Sequence, residues 1–121
     1  MDKNELKERT KRYALRVVTL VEALPATTTG KAVGNQLIRS GTSVGANYRA
    51  ALRARSKAEF IAKLGTVIEE ADESAFWLEI IIESKLLKKE RVEPLLKETN
   101  ELIAIFFTTR KSSKQILNGK S

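Results

Sequence analysis

The chain of 121 residues is long enough for one domain with a single core, and its 42% hydrophobic and 31% charged residues are typical of a globular protein. It has no cysteine and no histidine, which excludes disulfides, thiolate catalysis and Cys-based zinc sites and removes the commonest general base and metal ligand. The net charge of +7 favours an acidic partner such as RNA or DNA, although solubility alone would also account for it.

The N-terminal residues are charged, and no segment is apolar enough for a signal peptide or a membrane-spanning helix. We therefore expect a cytoplasmic protein with no membrane partner. Only two prolines and six glycines interrupt a sequence rich in Ala, Leu, Ile, Glu, Lys and Arg. This composition favours helices over strands.

A first helix is predicted from Asn4 to Leu24, because apolar residues recur there at spacings of three and four. Asn4 is the expected N-cap, and Pro25 fits a stop just after the helix. Many basic residues crowd its outer surface, which a solvated helix face would explain as well as a binding surface. The candidate nucleic-acid contacts on this helix are Lys7, Lys11, Arg12 and Arg16.

A second helix is predicted from Lys31 to Ala54, after a threonine-rich loop in which Thr28 or Thr29 can be the N-cap. Gly41 and Gly45 lie four residues apart on one face of it. Each glycine costs a helix about 1 kcal/mol relative to alanine, so some interaction should offset the cost. Close packing of a neighbouring helix is the favoured explanation, and close approach of an RNA backbone is the alternative.

Asn47 lies inside the second helix, between Ala46 and Tyr48. Asparagine is a mediocre residue for a helix interior and tends to form specific hydrogen bonds. The sequence supports two interpretations equally: a side chain that fixes helix register, as a buried asparagine does in coiled coils, or an exposed side chain without a role.

A third helix is predicted from Ser56 to Leu86, and its start matches a capping box in which Glu59 follows the capping serine by three residues. One apolar line at spacings of three and four is predicted to face the core. Two such lines on one helix would serve both a core and a subunit interface. Trp77 and the adjacent Phe76 are assigned to packing rather than to base stacking. The second apolar line comprises Ile61, Ile68, Ala75 and Ile82.

A fourth helix is predicted from Val92 to Ser112, with Pro94 in its first turn. Residues 113–121 are predicted to be a frayed tail. In the basic segment at this end of the chain, Lys111 and Lys114 are further candidate nucleic-acid contacts. Four helices joined by short loops, with no strand signal, predict an all-α, up-down-up-down four-helix bundle formed by residues 1–121 as one domain.

Charge is divided between neighbouring segments. Residues 23–58 contain no acidic residue, and residues 64–84 contain no Lys or Arg. We therefore expect the arginines of the second helix, Arg49 among them, to form ion pairs with the acids of the third, within one chain or between copies. The residues assigned to this assembly network are Arg39, Asn47, Arg53, Arg55, Glu69, Glu70, Glu73 and Trp77.

Glu69, Asp72 and Glu73 lie on one side of the third helix, where carboxylates could converge on a metal ion. Ferritin-like bundles, however, combine acids from four helices with Glu-x-x-His motifs, and this chain has no histidine. The sequence also has no phosphate-binding glycine loop, nucleophile elbow or helix-turn-helix signature. We therefore expect no metal, no other cofactor and no catalytic residues.

A dense set of short motifs runs from Gln36 to Ile81. These motifs are Arg39-Ser40, Ser43-Val44-Gly45-Ala46-Asn47, Arg55-Ser56, Phe60 with Lys63-Leu64, Glu69 to Ser74, and Trp77-Leu78-Glu79. Together they closely resemble the 23S rRNA intervening-sequence protein family, also called four-helix bundle proteins. The predicted helices agree with that family over nearly the whole chain.

The resemblance implies a cytoplasmic bacterial four-helix bundle without an established reaction that assembles as a ring-like homopentamer. Some members of the family are encoded inside insertions in 23S ribosomal RNA genes. The family is also similar to the accessory protein of diversity-generating retroelements, a basic pentameric barrel that binds nucleic acid and a reverse transcriptase. Two hypotheses follow: an oligomeric protein that binds structured RNA, or a homopentameric scaffold that recruits a protein partner and has no RNA affinity.

Overall fold

The computed structural model describes residues 1–119, which form four α-helices and no β-strand. The helices are α1 (Lys3–Glu22), α2 (Thr28–Leu52), α3 (Lys57–Glu83) and α4 (Lys89–Leu117). Each helix packs against the next one in the chain, and α4 returns to contact α1. The described chain therefore forms the predicted four-helix bundle. None of these helices has both the length and the apolar content needed to span a membrane.

The first two helices begin earlier than the sequence predicted. Asp2 and Thr27 have extended backbone conformations and accept hydrogen bonds, of 2.8 Å and 3.0 Å, from backbone N–H groups of the first turns of α1 and α2. These bonds satisfy donors that have no partner inside the helix. The predicted caps, Asn4 and Thr28 or Thr29, are wrong because those residues already lie within the helices.

The predicted capping box at the start of α3 is confirmed. The Ser56 hydroxyl accepts a hydrogen bond from the Glu59 backbone N–H at 3.1 Å. The Glu59 carboxylate accepts the backbone N–H of Arg55 at 3.2 Å, one residue before the N-cap N–H that the standard capping box engages. Two backbone donors at this helix start are thereby satisfied.

The other end of α3 lies at Glu83, before the predicted end at Leu86. Lys85 adopts the left-handed conformation with φ of 60°. The backbone N–H groups of Lys85 and Leu86 donate to the carbonyls of Ile82 and Ile81, each at 3.1 Å. This is the Schellman arrangement, which usually places glycine at the left-handed position.

The last helix is longer than predicted at both ends, since α4 spans Lys89–Leu117 rather than Val92–Ser112. Pro94 consequently lies in the second turn. Ser113 is only 7% exposed, and the helix continues to Leu117 with residues 114–117 exposed. The helix end predicted at Ser112 is therefore wrong, and residues 120–121 lie outside the described chain.

The core consists of the apolar residues whose spacing predicted the helices. Of the second apolar line on α3, Ile61 and Ala75 are buried within this chain, whereas Ile68 and Ile82 are half-buried. That line therefore contributes to the internal core. The large side chains with 0% exposure in the centre of the bundle are Val17, Leu37, Val44, Leu64, Val67, Leu78, Ile81, Leu102 and Phe106.

One buried hydroxyl from each helix takes part in hydrogen bonds across the core. The hydroxyls of Tyr13 and Thr99 lie 2.6 Å apart, and the Ser74 hydroxyl donates to that of Ser40 at 2.9 Å. Burial raises the pKa of Tyr13, and hydrogen bonding to Thr99 and Ser74 opposes that rise. Among residues 1–119, no buried side-chain nitrogen or oxygen lacks a partner.

Gly41 and Gly45 allow α1 and α2 to approach closely. A Cβ atom on Gly41 would lie 2.8 Å from both γ-carbons of Val17, and one on Gly45 would lie 3.3 Å from Thr10 Oγ1. Both glycines are buried against α1. The interpretation as helix packing is therefore confirmed for both glycines.

Alanine at position 41 tests this packing. Overpacking costs about 1–3 kcal/mol. Gly41→Ala should fall at the upper end of this range, because its Cβ atom would lie 2.8 Å from both γ-carbons of Val17. The cost should exceed the helix-propensity gain of about 1 kcal/mol. Urea denaturation should therefore show a lower free energy of unfolding than for the unsubstituted protein.

Gly65→Ala is the matched control. A Cβ atom there would meet only the flexible Arg110 side chain, at 3.4 Å. This variant should gain up to about 1 kcal/mol of stability from helix propensity. Equal effects of the two substitutions would contradict the packing role of Gly41.

Candidate nucleic-acid interface

An ion-pair network that the sequence did not predict joins α1 to α4. Arg9 donates to both carboxylate oxygens of Glu98 at 2.7 Å and to Glu101 at 3.0 Å. The side chains of Arg9 and Glu98 are only 17% and 16% exposed, and hydrogen bonding to Glu98 raises the pKa of Arg9. Forked pairing of this kind is geometrically specific. It leaves Arg9 with little capacity for an external anion.

Four of the eight residues predicted for the assembly network meet between α2 and α3 of one chain. Arg39 donates to Glu70 at 3.4 Å and also to Glu73, which accepts a further hydrogen bond from Trp77 Nε1 at 3.3 Å. The hydrogen bond from Arg39 lowers the pKa of Glu73. Because half of the Arg39 side chain is exposed, the ion pair contributes little to stability.

The other four residues of the predicted network do not join it. Asn47 donates to the backbone carbonyl of Ser43 at 2.9 Å, within its own helix. Arg53, Arg55 and Glu69 are exposed, and within residues 1–119 their side chains form no ion pair. Their participation in an interface between copies stays a prediction.

Lys7 and Lys11 line one wall of an open groove between α1 and α2, with a volume of about 190 Å³. Arg49 of α2, for which the sequence suggested an acidic partner on α3, stands on the other wall. No acidic side chain lines this groove. None of its three cations forms an ion pair with another described residue.

Arg12 and Arg16 lie on the opposite flank of α1. Arg16 borders a groove of about 360 Å³ between α1 and α4, together with Arg91 of α4. Arg12 precedes Arg16 by four residues and therefore shares its side of the helix. Leu15, which lies between the two flanks, is 58% exposed. Cations that form no ion pair within residues 1–119 thus flank both sides of the solvent-facing edge of α1.

The end of the bundle where α1 and α3 begin and α2 and α4 end is also basic. A groove of about 340 Å³, with Lys3, Lys57 and Ser113 in its lining, brings these four termini together. The nearby acids Asp2 and Glu59 are engaged by backbone N–H groups. We call this region the basic end, and its exposed cations are Lys3, Arg53, Arg55, Lys57, Lys111 and Lys114.

The fold and these clustered cations define a small, basic four-helix bundle protein. Residues 2–108 match the family described as 23S rRNA-intervening sequence protein, so the chain belongs to this family. The chain is 33% identical to a protein of unknown function of the S23 ribosomal protein family from Bacteroides thetaiotaomicron, whose crystal structure superposes with a TM-score of 0.85. The match covers 92% of this chain and 99% of that one. No curated protein sequence matches the present chain.

Acid should remove the contribution of the Arg39–Glu73 pair. Arg39 holds the pKa of Glu73 below its ordinary value of 4.5. The pair's contribution to stability is therefore complete above that ordinary value and is lost as the pH falls through the lower folded-state pKa. Glu73→Gln should lose less stability than the unsubstituted protein between about pH 5 and about pH 3, as measured by urea denaturation.

Glu79→Gln is the control, since Glu79 is exposed on the same helix and forms no ion pair with residues 1–119. It should leave the pH dependence unchanged. An NMR titration that placed the Glu73 carboxyl at or above the ordinary glutamate pKa would contradict the assignment.

Proposed function

We propose that this protein is a non-catalytic RNA-binding protein that acts as a homo-oligomer. The observation that carries the proposal is the distribution of paired and unpaired cations. Arg9 and Arg39 are neutralised by carboxylates of the same chain. The cations of the α1–α2 groove and of the basic end have no such partner among the described residues and are gathered on neighbouring surfaces.

This clustering favours a polyanion over solubility as the reason for the positive charge. Solubility requires net charge and is best served by interspersed signs, whereas adjacent like charges repel one another and destabilise the folded chain. A phosphate backbone relieves that repulsion and releases its own counterions. The outward acids Glu69 and Glu79 lie on α3, diagonally across the bundle from α1, whereas Glu5, Glu8 and Glu22 are exposed on α1 itself.

The comparisons support a connection with RNA. The matching family is described by its relation to 23S rRNA, and the similar solved structure belongs to a family described as ribosomal. Both descriptions apply to those proteins, and the solved one is of unknown function. For this chain, the unpaired cations give these descriptions a physical basis, because phosphate contacts dominate the affinity of proteins for nucleic acids.

The outer surface of α3 supports self-assembly. Phe76 is 53% exposed, and its ring packs edge-on against Trp77 at a centroid distance of 5.0 Å. Aromatic residues are enriched in protein interfaces. The exposed acids beside them on α3 complement the exposed Arg53, the C-cap residue of α2. We propose that α3 of one copy packs against α2 of the next, an arrangement that closes into a ring such as the pentamer implied by the family resemblance.

The same aromatic patch supports a second candidate function, a scaffold that recruits a protein partner and has no RNA affinity. A protein partner could cover Phe76 and Trp77 as well as another copy could. In that case the basic surfaces would bind no RNA. The two functions make different predictions about what the purified protein carries.

Native mass spectrometry of freshly purified protein, with and without nuclease treatment, tests the proposed function. We expect an oligomer that carries a nuclease-sensitive adduct, whose RNA can then be sequenced. Binding of that RNA should weaken steeply as the salt concentration rises, because the protein's Lys and Arg side chains release counterions condensed on the RNA. A clean oligomer without nucleic acid would favour the scaffold, and binding insensitive to salt would contradict the proposed mode.

Phe76→Glu tests the assembly. A buried, unpaired charge at the centre of the interface should dissociate the oligomer, as measured by sedimentation velocity. The matched control is Phe107→Glu, because Phe107 on α4 is 62% exposed and lies outside the proposed interface. Dissociation by the Phe107 variant alone would place the interface on α4, and a monomeric unsubstituted protein would refute assembly altogether.

A further inference from the structure

The groove between α1 and α2 has a lining that suits a phosphate group. Its lining includes the cations Lys7, Lys11 and Arg49 and the small residues Gly45 and Ala46. The small residues leave room between the longer cationic side chains. A recess bordered by three cations and no acid is a poor place for a neutral or positively charged ligand.

The hydroxyls in the lining are already used by the protein itself. Thr10 donates to the carbonyl of Lys7 at 3.0 Å, and Thr42 donates to that of Ile38 at 2.6 Å. Neither hydroxyl proton is available for a ligand in this arrangement. Recognition therefore depends on the three cations, of which Arg49 alone has a forked guanidinium that can make two parallel hydrogen bonds to one phosphate.

We propose that this groove is a phosphate-binding site for the backbone of double-helical RNA, with Arg49 as a ligand-binding residue rather than an assembly residue. The proposal rests on the proposed RNA-binding function and specifies how the RNA is held. No aromatic side chain lines the groove, and the exposed phenylalanines lie on α3 and α4. Proteins that hold single strands usually stack bases on aromatic side chains, whereas phosphate contacts carry no direct sequence information.

The test compares two triple variants that remove the same charge. Lys7→Gln/Lys11→Gln/Arg49→Gln empties the groove of cations. Lys31→Gln/Lys88→Gln/Lys97→Gln removes three exposed lysines that lie outside it. Fluorescence anisotropy would measure binding to a labelled 20-base-pair RNA duplex and to a single strand of the same sequence at several salt concentrations.

We expect the groove variant to lose roughly tenfold or more in affinity for the duplex and to reduce the slope of log affinity against log salt by about 3, or about 1 for each lost phosphate contact. The control variant should lose much less. The single strand should bind more weakly than the duplex. Arg49→Lys alone should weaken binding and keep most of the salt slope, because it retains the charge and loses the fork.

The failures of the two proposals are distinguishable. If the unsubstituted protein binds the duplex and both triple variants bind equally well, the groove assignment is overturned and RNA binding stands. If the unsubstituted protein binds neither RNA, the proposed function is overturned. A titration with inorganic pyrophosphate, followed by NMR, then decides whether the groove still binds phosphate. The absence of a response would overturn the proposed phosphate-binding site as well.

Discussion

The contact between α1 and α2 at Gly41 and Gly45 sets the distance between the two helices whose cations line the α1–α2 groove. Because Val17 and Thr10 fill the space that a Cβ atom would need, neither helix can shift toward the other without a clash. Lys7 and Lys11 lie within one turn of Thr10, and Arg49 lies one turn beyond Gly45. Their backbone positions are therefore fixed by packing, and only side-chain rotamers adjust when an anion binds. Such preorganisation lowers the entropic cost of binding.

The four core hydroxyls constrain the bundle in a different way. Long apolar helix faces can slide past one another at small cost, whereas a buried hydroxyl left without a partner costs about 1–3 kcal/mol. Tyr13, Ser40, Ser74 and Thr99 come one from each helix and are paired across the core. A change of register in any helix would separate at least one pair. The role that the sequence suggested for Asn47 is thus served by these four residues, whose apolar neighbours concealed them in the sequence.

Periodicity predicted the four helices and most of the core, because burial of one helix face follows from spacing alone. Helix ends were harder to predict, since they depend on the conformation of single residues. Lys85 takes a left-handed position usually held by glycine, so the end of α3 had no signal in the sequence. The charge contrast between neighbouring segments predicted Arg39 and its partners. Arg9 and Glu98, which lie 89 residues apart, meet only through the return of α4 to α1.

The ion pairs also determine how many of the chain's cations are neutralised within the chain. If the arginines of α2 all met the acids of α3, few would remain for RNA. Of those arginines, only Arg39 is paired in the part of the chain that the structure describes, and it lies on the side of α2 toward α3. Arg49 faces α1, and Arg53 lies at the basic end. Among the described arginines of α2, self-neutralisation is therefore confined to the side of the helix toward α3. Phe76 and Trp77 of α3 lie outside the groove between α1 and α2. Packing of this aromatic patch against another copy therefore uses none of the groove's three cations on the copy that contributes the patch.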